Sequence, residues 1–205
     1  MRVDRPPPGE ELNRGEVTEP RQAASLIVLR DSQEGPEVLL VQRNPEQRFM
    51  GGAWVFPGGA VHEGEGDPGL TAVRELEEEA GVRMDDPGAL VPFSRWITPK
   101  EVKVRFDTWF FAAEAPAGAE ARADGGECVD ARWLRPEAAL GEYTRGDLML
   151  VFPTIKHLEQ LTEAESVEEL LESARGRTVE PVLPRIVPRE GGAEVLLPGE
   201  PGYGD

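Results

Sequence analysis

Cysteine is nearly absent from this chain of 205 residues. Cys128 stands alone, so an internal disulfide framework is excluded and the composition suits a reducing cytoplasm. Histidine is almost as scarce: neither His62 nor His157 has a second histidine, or the cysteine, at metal-ligand spacing. No apolar stretch approaches the ~20 residues that span a bilayer, and no apolar run follows the opening Met1-Arg-Val-Asp-Arg-Pro-Pro-Pro8, so neither a membrane anchor nor a signal peptide is expected. Positive charge is also short: 22 Lys and Arg face 39 Asp and Glu, for a net charge of −17. Nucleic acid and anionic membranes recruit clustered cations, so this balance argues against them as main partners. A small phosphorylated ligand stays compatible if metal ions neutralise its site. At 39% hydrophobic residues the chain can fill one core, with appendages.

What is present in excess is carboxylate, and it crowds one short segment, Arg74-Glu75-Leu76-Glu77-Glu78-Glu79-Ala80-Gly81-Val82. Asp67 and Pro68 predict a helix start, because an aspartate caps an orphan N–H and a first-turn proline gives up a donor that had no partner. Gly81 predicts the stop. At 100° per residue Leu70, Val73, Leu76 and Ala80 fall on one stripe, with Glu75, Glu78 and Glu79 on roughly the opposite one. Like charges at i,i+4, as in Glu75 and Glu79, repel by a few tenths of a kcal/mol, and the helix dipole disfavours anions in the last turn by about 0.3–1 kcal/mol each. Arg74 offsets part of this by reaching Glu78. A hard divalent cation would reverse the local field; the alternative is a solvated acidic helix.

Preceded by Gly59-Ala-Val-His-Glu-Gly-Glu65, this segment closely resembles the Nudix box, the signature of hydrolases that cleave nucleoside diphosphates linked to another moiety. Arg74, Glu75, Leu76, Glu78, Glu79, Gly81 and Val82 stand where the family has them. Between Glu65 and Arg74 there is one residue more than the family pattern has, within the turn-rich Gly64-Glu-Gly-Asp-Pro-Gly69. The resemblance implies an α/β/α sandwich, a mixed sheet flanked by helices, with the carboxylate face bordering the substrate cleft. It also implies Mg²⁺ or Mn²⁺ held by Glu75, Glu78 and Glu79 together with Gly59, and a structural role for Arg74. Glu78, Glu79 or Glu127 would take the proton of the attacking water; Glu127, ahead of Trp133-Leu134, resembles the outlying glutamate of many Nudix enzymes.

A second segment, Leu39-Leu40-Val41-Gln42-Arg43-Asn44 with Arg48, Gly52 and Phe56-Pro57-Gly58-Gly59, resembles the motif preceding the box in coenzyme A diphosphatases. Val41 and Asn44 depart from it. Further runs, Phe49 through Gly59, Arg105 through Phe111 and Trp133-Leu134, are similar to the peroxisomal type and its bacterial relatives. Arg43, Arg48, Gly52, Phe56 and Gly58 are therefore expected at the substrate, and planar arginine forks suit phosphate oxygens. The expected substrate is coenzyme A or its acyl esters, giving 3′,5′-ADP and 4′-phosphopantetheine. ADP-ribose, NADH and a non-catalytic binding module are the rivals.

Along the chain, residues 1–20, with four prolines, predict a mobile arm; 21–165 the catalytic domain; and 166–205 a helix and Pro/Gly-rich extension. A hairpin is expected over 23–43, a second strand pair over 89–113, a strand ending at Leu134, and helices at 136–142, 153–162 and 165–175. Val182-Leu183 and Val195-Leu196-Leu197 are expected to pair as strands, over the domain or at a homodimer interface. Cys128 reads as packing, His157 as helix surface, His62 as loop, and Trp54 and Phe56 as core or adenine-stacking residues.

Overall fold

The computed structural model describes residues 2–3, 12–13, 15–189 and 192–204. Short strands β1 (Arg2–Val3), β10 (Arg185–Arg189) and β11 (Gly192–Leu196) form a small antiparallel sheet in the order β1-β11-β10. The main sheet has eight strands. Its path is β4 (Trp54–Val55), β3 (Gly35–Arg43), β2 (Arg21–Ser32), β7 (Phe106–Glu114), β6 (Val91–Ile97) and β9 (Pro181–Val182); β5 (Gly58–Ala60) pairs with β2, and β8 (Cys128–Leu134) with β3. β2 and β7 run parallel, as do β6 and β9, and the other pairings are antiparallel, so the sheet is mixed.

The alternation of β2 sorts its side chains between two cores. Ala24, Leu26 and Val28 face helix α1 (Pro68–Ala80) through Ala72, Leu76 and Ala80, while Ile27 and Leu29 join the core filled from α2 (Pro136–Arg145), α3 (Phe152–Leu161) and α4 (Val167–Ala174). Helices thus cover both faces. Leu76 is wholly buried at the seam under α1, and truncating such a leucine to alanine costs roughly 2–5 kcal/mol.

Helix α1 begins and ends as the sequence predicts. The Asp67 carboxylate accepts the Gly69 N–H at 2.8 Å, and Gly81 (φ 66°) returns its N–H to the Glu77 carbonyl at 3.0 Å. Its buried side differs from the expected stripe. Leu70 is exposed, whereas Thr71, Ala72, Glu75, Leu76, Glu79 and Ala80 are buried. Glu75 and Glu79 lie on the enclosed side of the helix, packed against Gly59 and Gly58 of β5.

The hairpin of β2 and β3 turns at residues 33–34, and β8, α2, α3 and α4 lie close to their expected places. The tail is arranged otherwise than predicted: β9 adds to β6, and Val195 of β11 pairs with Ile186 of β10 rather than with Val182. α4 shares the core of α3, so the extension beyond residue 165 is packed against the domain. Most of the expected arm, residues 1, 4–11 and 14, lies outside the described residues; of the rest, Leu12 bridges Val102 and the Thr18 hydroxyl donates to the Lys103 carbonyl at 2.7 Å. No helix among the described residues is long and apolar enough to cross a membrane.

Candidate metal centre

Glu75, Glu79 and Glu127 each present a carboxylate oxygen, and the three oxygens lie within 4.8 Å of one another. Two come from α1, one turn apart; the third comes from the turn entering β8. Glycines on β5 make room for them. A Cβ on Gly59 would stand 2.3 Å from the Glu75 Oε1, and the Gly58 N–H donates to the Glu79 Oε2 at 2.9 Å. Glu79 is 2% exposed and Glu75 7%, while Glu127 is open to solvent.

This arrangement is electrostatically costly by itself. Two unit charges 4.8 Å apart repel by about 3–4 kcal/mol at an effective dielectric constant near 20. Burial, with Glu75 adding to it and the Gly58 N–H and Arg43 opposing it, pushes the Glu79 carboxyl up to about 7. Burial also raises Glu75, against the pull of Arg74. Side chains that all present oxygen, two of them buried beside a glycine cradle, fit a hard divalent cation, whose charge would turn the repulsion into attraction.

Arg74 ties the acidic residues together. Its Nε donates to the Glu65 Oε1 at 2.8 Å, and its Nη1 to the Glu75 Oε1 at 2.9 Å and the Glu78 Oε2 at 2.7 Å. Glu65 also accepts from the His62 N–H at 2.9 Å and the Thr71 hydroxyl at 2.8 Å. The Arg74 bond, helped by these donors, brings the Glu65 carboxyl down to about 2. Gly64, at φ 94°, lets the loop absorb its extra residue and still deliver Glu65 to Arg74. Glu78 stays apart: its side chain is 58% exposed and turned to Arg74, on the outward half of α1.

Arg43, at the end of β3, lies near the cluster and acts on Glu79. Its Nη2 donates to the Gln47 Oε1, and its buried Nε has no partner among the described residues. Backbone bonds from Arg43 to Ala53 (2.9 Å) and from Gly52 to Arg43 (3.0 Å) close the 44–52 loop, with Gly52 at φ 80°. Arg48 is exposed on that loop. Phe56 faces away from the carboxylates: it is 2% exposed, with the rings of Phe110 and His157 at 6.4 and 5.8 Å. Its large apolar ring finds its area in the core rather than at a ligand. Trp54 is buried likewise, and the Gly58 amide serves Glu79.

His157 corrects the expectation of a surface residue. It is 1% exposed, Phe56, Phe93, Trp96 and Phe110 surround it, the Ser94 hydroxyl lies 2.6 Å from its Nε2, and burial brings its pKa down to about 3. His62 sits in the exposed loop, as expected. Cys128 is fully buried and its thiol is hydrogen-bonded to the Glu79 carboxylate, so it does more than fill space. Sequence reading also passed over Asp124 and Gln47, which hold the backbone of Glu127; the Asp124-Gly-Gly-Glu127 run of turn formers was the available signal.

A family profile described as the NUDIX domain matches residues 19–150. This chain belongs to the Nudix domain family. Among curated relatives, putative nudix hydrolase 7 of Caenorhabditis elegans is 23% identical over 209 residues, covering 83% of this chain and 70% of its own. Nudix hydrolase 15, mitochondrial, of Arabidopsis thaliana is 39% identical over 64 residues, 31% of this chain, and the match spans 22% of that protein's length. Among solved structures, a NUDIX hydrolase from Alicyclobacillus acidocaldarius superposes with a TM-score of 0.70 at 27% identity, covering 80% of this chain and 98% of that one. The shared Nudix architecture is that of a mixed sheet between helical layers.

Proposed function

We propose that this protein is a metal-dependent diphosphatase, and that coenzyme A or an acyl-coenzyme A is its substrate, split to 3′,5′-ADP and (acyl-)4′-phosphopantetheine. The observation that carries the reading is the juxtaposition of Glu75, Glu79 and Glu127 with Arg43, whose Nε has no partner among the described residues. Glu75, Glu79 and Glu127 would hold Mg²⁺ or Mn²⁺, which supplies charge neutralisation on phosphate oxygens and a lowered pKa for a bound water. Glu79 takes the proton of the attacking water as general base, a step typically worth 10²- to 10⁴-fold. Arg74 holds Glu75 in place, with Glu65 as its anchor. Arg43 and Arg48 bind phosphate oxygens of the substrate, the 3′-phosphate among them.

The motif spanning Leu39 to Phe56 supports coenzyme A over other nucleotides, and the lone buried cysteine supports a reducing cytoplasm as the site of action. The deciding experiment is product analysis with Mg²⁺ across coenzyme A, dephospho-coenzyme A, ADP-ribose and NADH. Coenzyme A is expected to be cleaved at the diphosphate at least tenfold faster, by kcat/KM, than dephospho-coenzyme A. Equal rates would remove the 3′-phosphate from the argument, and no turnover of any of the four would remove the enzyme.

A further inference from the structure

The turn that delivers Glu127 is built around one carboxylate. Asp124 accepts three consecutive backbone donors: the Gly126 N–H (2.9 Å) and the Glu127 N–H (3.0 Å) on Oδ2, and the Cys128 N–H (2.8 Å) on Oδ1. Gly126 permits this, since a Cβ there would stand 2.8 Å from the Asp124 Oδ2. Gly125, at φ 80°, reverses the chain so that its N–H meets the Cys128 carbonyl at 2.8 Å. Just upstream, the Arg122 N–H donates to the Ala80 carbonyl at 2.8 Å, which ties the turn to the end of the helix that carries Glu75 and Glu79.

From the opposite side the 44–52 loop grips the same residue. The Glu127 carbonyl accepts from the Asn44 N–H (2.8 Å) and the Gln47 Nε2 (3.3 Å), and the Asn44 Nδ2 donates to the Gly126 carbonyl at 2.9 Å. Glu127 is exposed and unsupported by sheet pairing, because β8 begins one residue later and its register with β3 shifts there. The orientation of its side chain therefore depends on the bonds to its own peptide units. Three amides aimed at a single carboxylate make a far stiffer support than solvent would.

We propose that Asp124 is a positioning residue: it touches neither cation nor substrate, and by fixing residues 126–128 it aims the Glu127 carboxylate at Glu75 and Glu79. The inference rests on the diphosphatase reading of the cluster. An outer partner of this kind is typically worth 10- to 100-fold in metal affinity.

The test is Mn²⁺ titration of the full chain, followed by electron paramagnetic resonance, with folding checked by circular dichroism. Asp124→Ala is expected to weaken Mn²⁺ binding tenfold or more, and Asp124→Asn, which keeps one acceptor oxygen, by no more than about threefold. Gly126→Ala, which crowds the Asp124 carboxylate, is expected to resemble Asp124→Ala and serves in its place if that variant does not fold. In a Glu127→Ala background, Asp124→Asn and Gly126→Ala are expected to change Mn²⁺ affinity less than twofold, since the residue they act through has no ligand atom left. Unchanged affinity in Asp124→Ala or Gly126→Ala, or an equal loss with and without Glu127, overturns the inference while the diphosphatase reading stands. A parent protein that binds no Mn²⁺ overturns both.

Discussion

Gly59 and Glu75 occupy one space: the carboxylate of Glu75 lies where a side chain on residue 59 would begin, with Oε1 2.3 Å from the place of a Cβ. The contact is with the tip of a flexible side chain, so Gly59→Ala leaves the fold intact and displaces Glu75 from Glu79 and Glu127. We expect Gly59→Ala to lose tenfold or more in Mg²⁺-dependent turnover, with a melting temperature within a few degrees of the parent. Parent-like turnover would show that the approach of strand to helix is dispensable.

Glu79→Gln separates chemistry from stability. Removing the base is expected to lower kcat by 10²- to 10⁴-fold. Folding raises the Glu79 carboxyl from 4.5 to about 7, so the native state without metal holds a proton that the unfolded chain releases, and stability falls as pH rises across that window. The decline accumulates between pH 4.5 and about 7 and totals about 3 kcal/mol. Urea denaturation in chelator, repeated from pH 5 to pH 8, should show this decline in the parent and a flatter profile in Glu79→Gln. Identical slopes would contradict the assigned origin.

The same proton couples to metal. A carboxylate must be free of its proton to ligate, so Mg²⁺ or Mn²⁺ binding at pH 6 should release about one proton, and at pH 8.5 almost none. Calorimetry in buffers of different ionisation enthalpy measures this directly. An apparent heat at pH 6 that does not vary with buffer would exclude Glu79 from the site.

His157 sets an acid limit on the fold. Burial lowers its pKa from 6.5 to about 3, so the unfolded chain binds a proton that the native ring refuses. Its stabilising contribution is complete above pH 6.5 and declines as pH falls towards 3. Replacement by phenylalanine, a ring of similar size among Phe56, Phe93, Trp96 and Phe110, should flatten the dependence of stability on pH between 6 and 4. An unaltered acid slope in His157→Phe would place its origin elsewhere.

How much of this was legible in the sequence depends on what each signal measured. Asp67, Pro68 and Gly81 fixed the ends of α1 because capping is local chemistry, and the hairpin of β2 and β3 followed from alternation and a turn. The apolar stripe of the same helix misled. Hydrophobicity placed Leu70 inside and the glutamates outside, whereas the helix flank encloses a polar centre, so Glu75 and Glu79 are buried and Leu70 is not. Glu78 differs from its neighbours only by its angle round the helix, and the direction of the sheet, which decides that angle's meaning, is tertiary information. His157 is polar by composition but enters an aromatic cage that three separate segments assemble. Asp124 acts on backbone amides, so the turn-forming Asp124-Gly-Gly-Glu127 run signals a turn but not the residue it positions.

The enclosure of Cys128 gives the molecule a built-in clock. A thiol sealed beside an anionic oxygen, with burial and Glu79 both holding its pKa high, cannot be alkylated while the strands around it stay closed. Since no other sulfhydryl competes, the speed at which a colourless chain takes up a thiol-reactive dye reports how often this corner of the domain breathes open, and ligands that brace the corner will slow the colour.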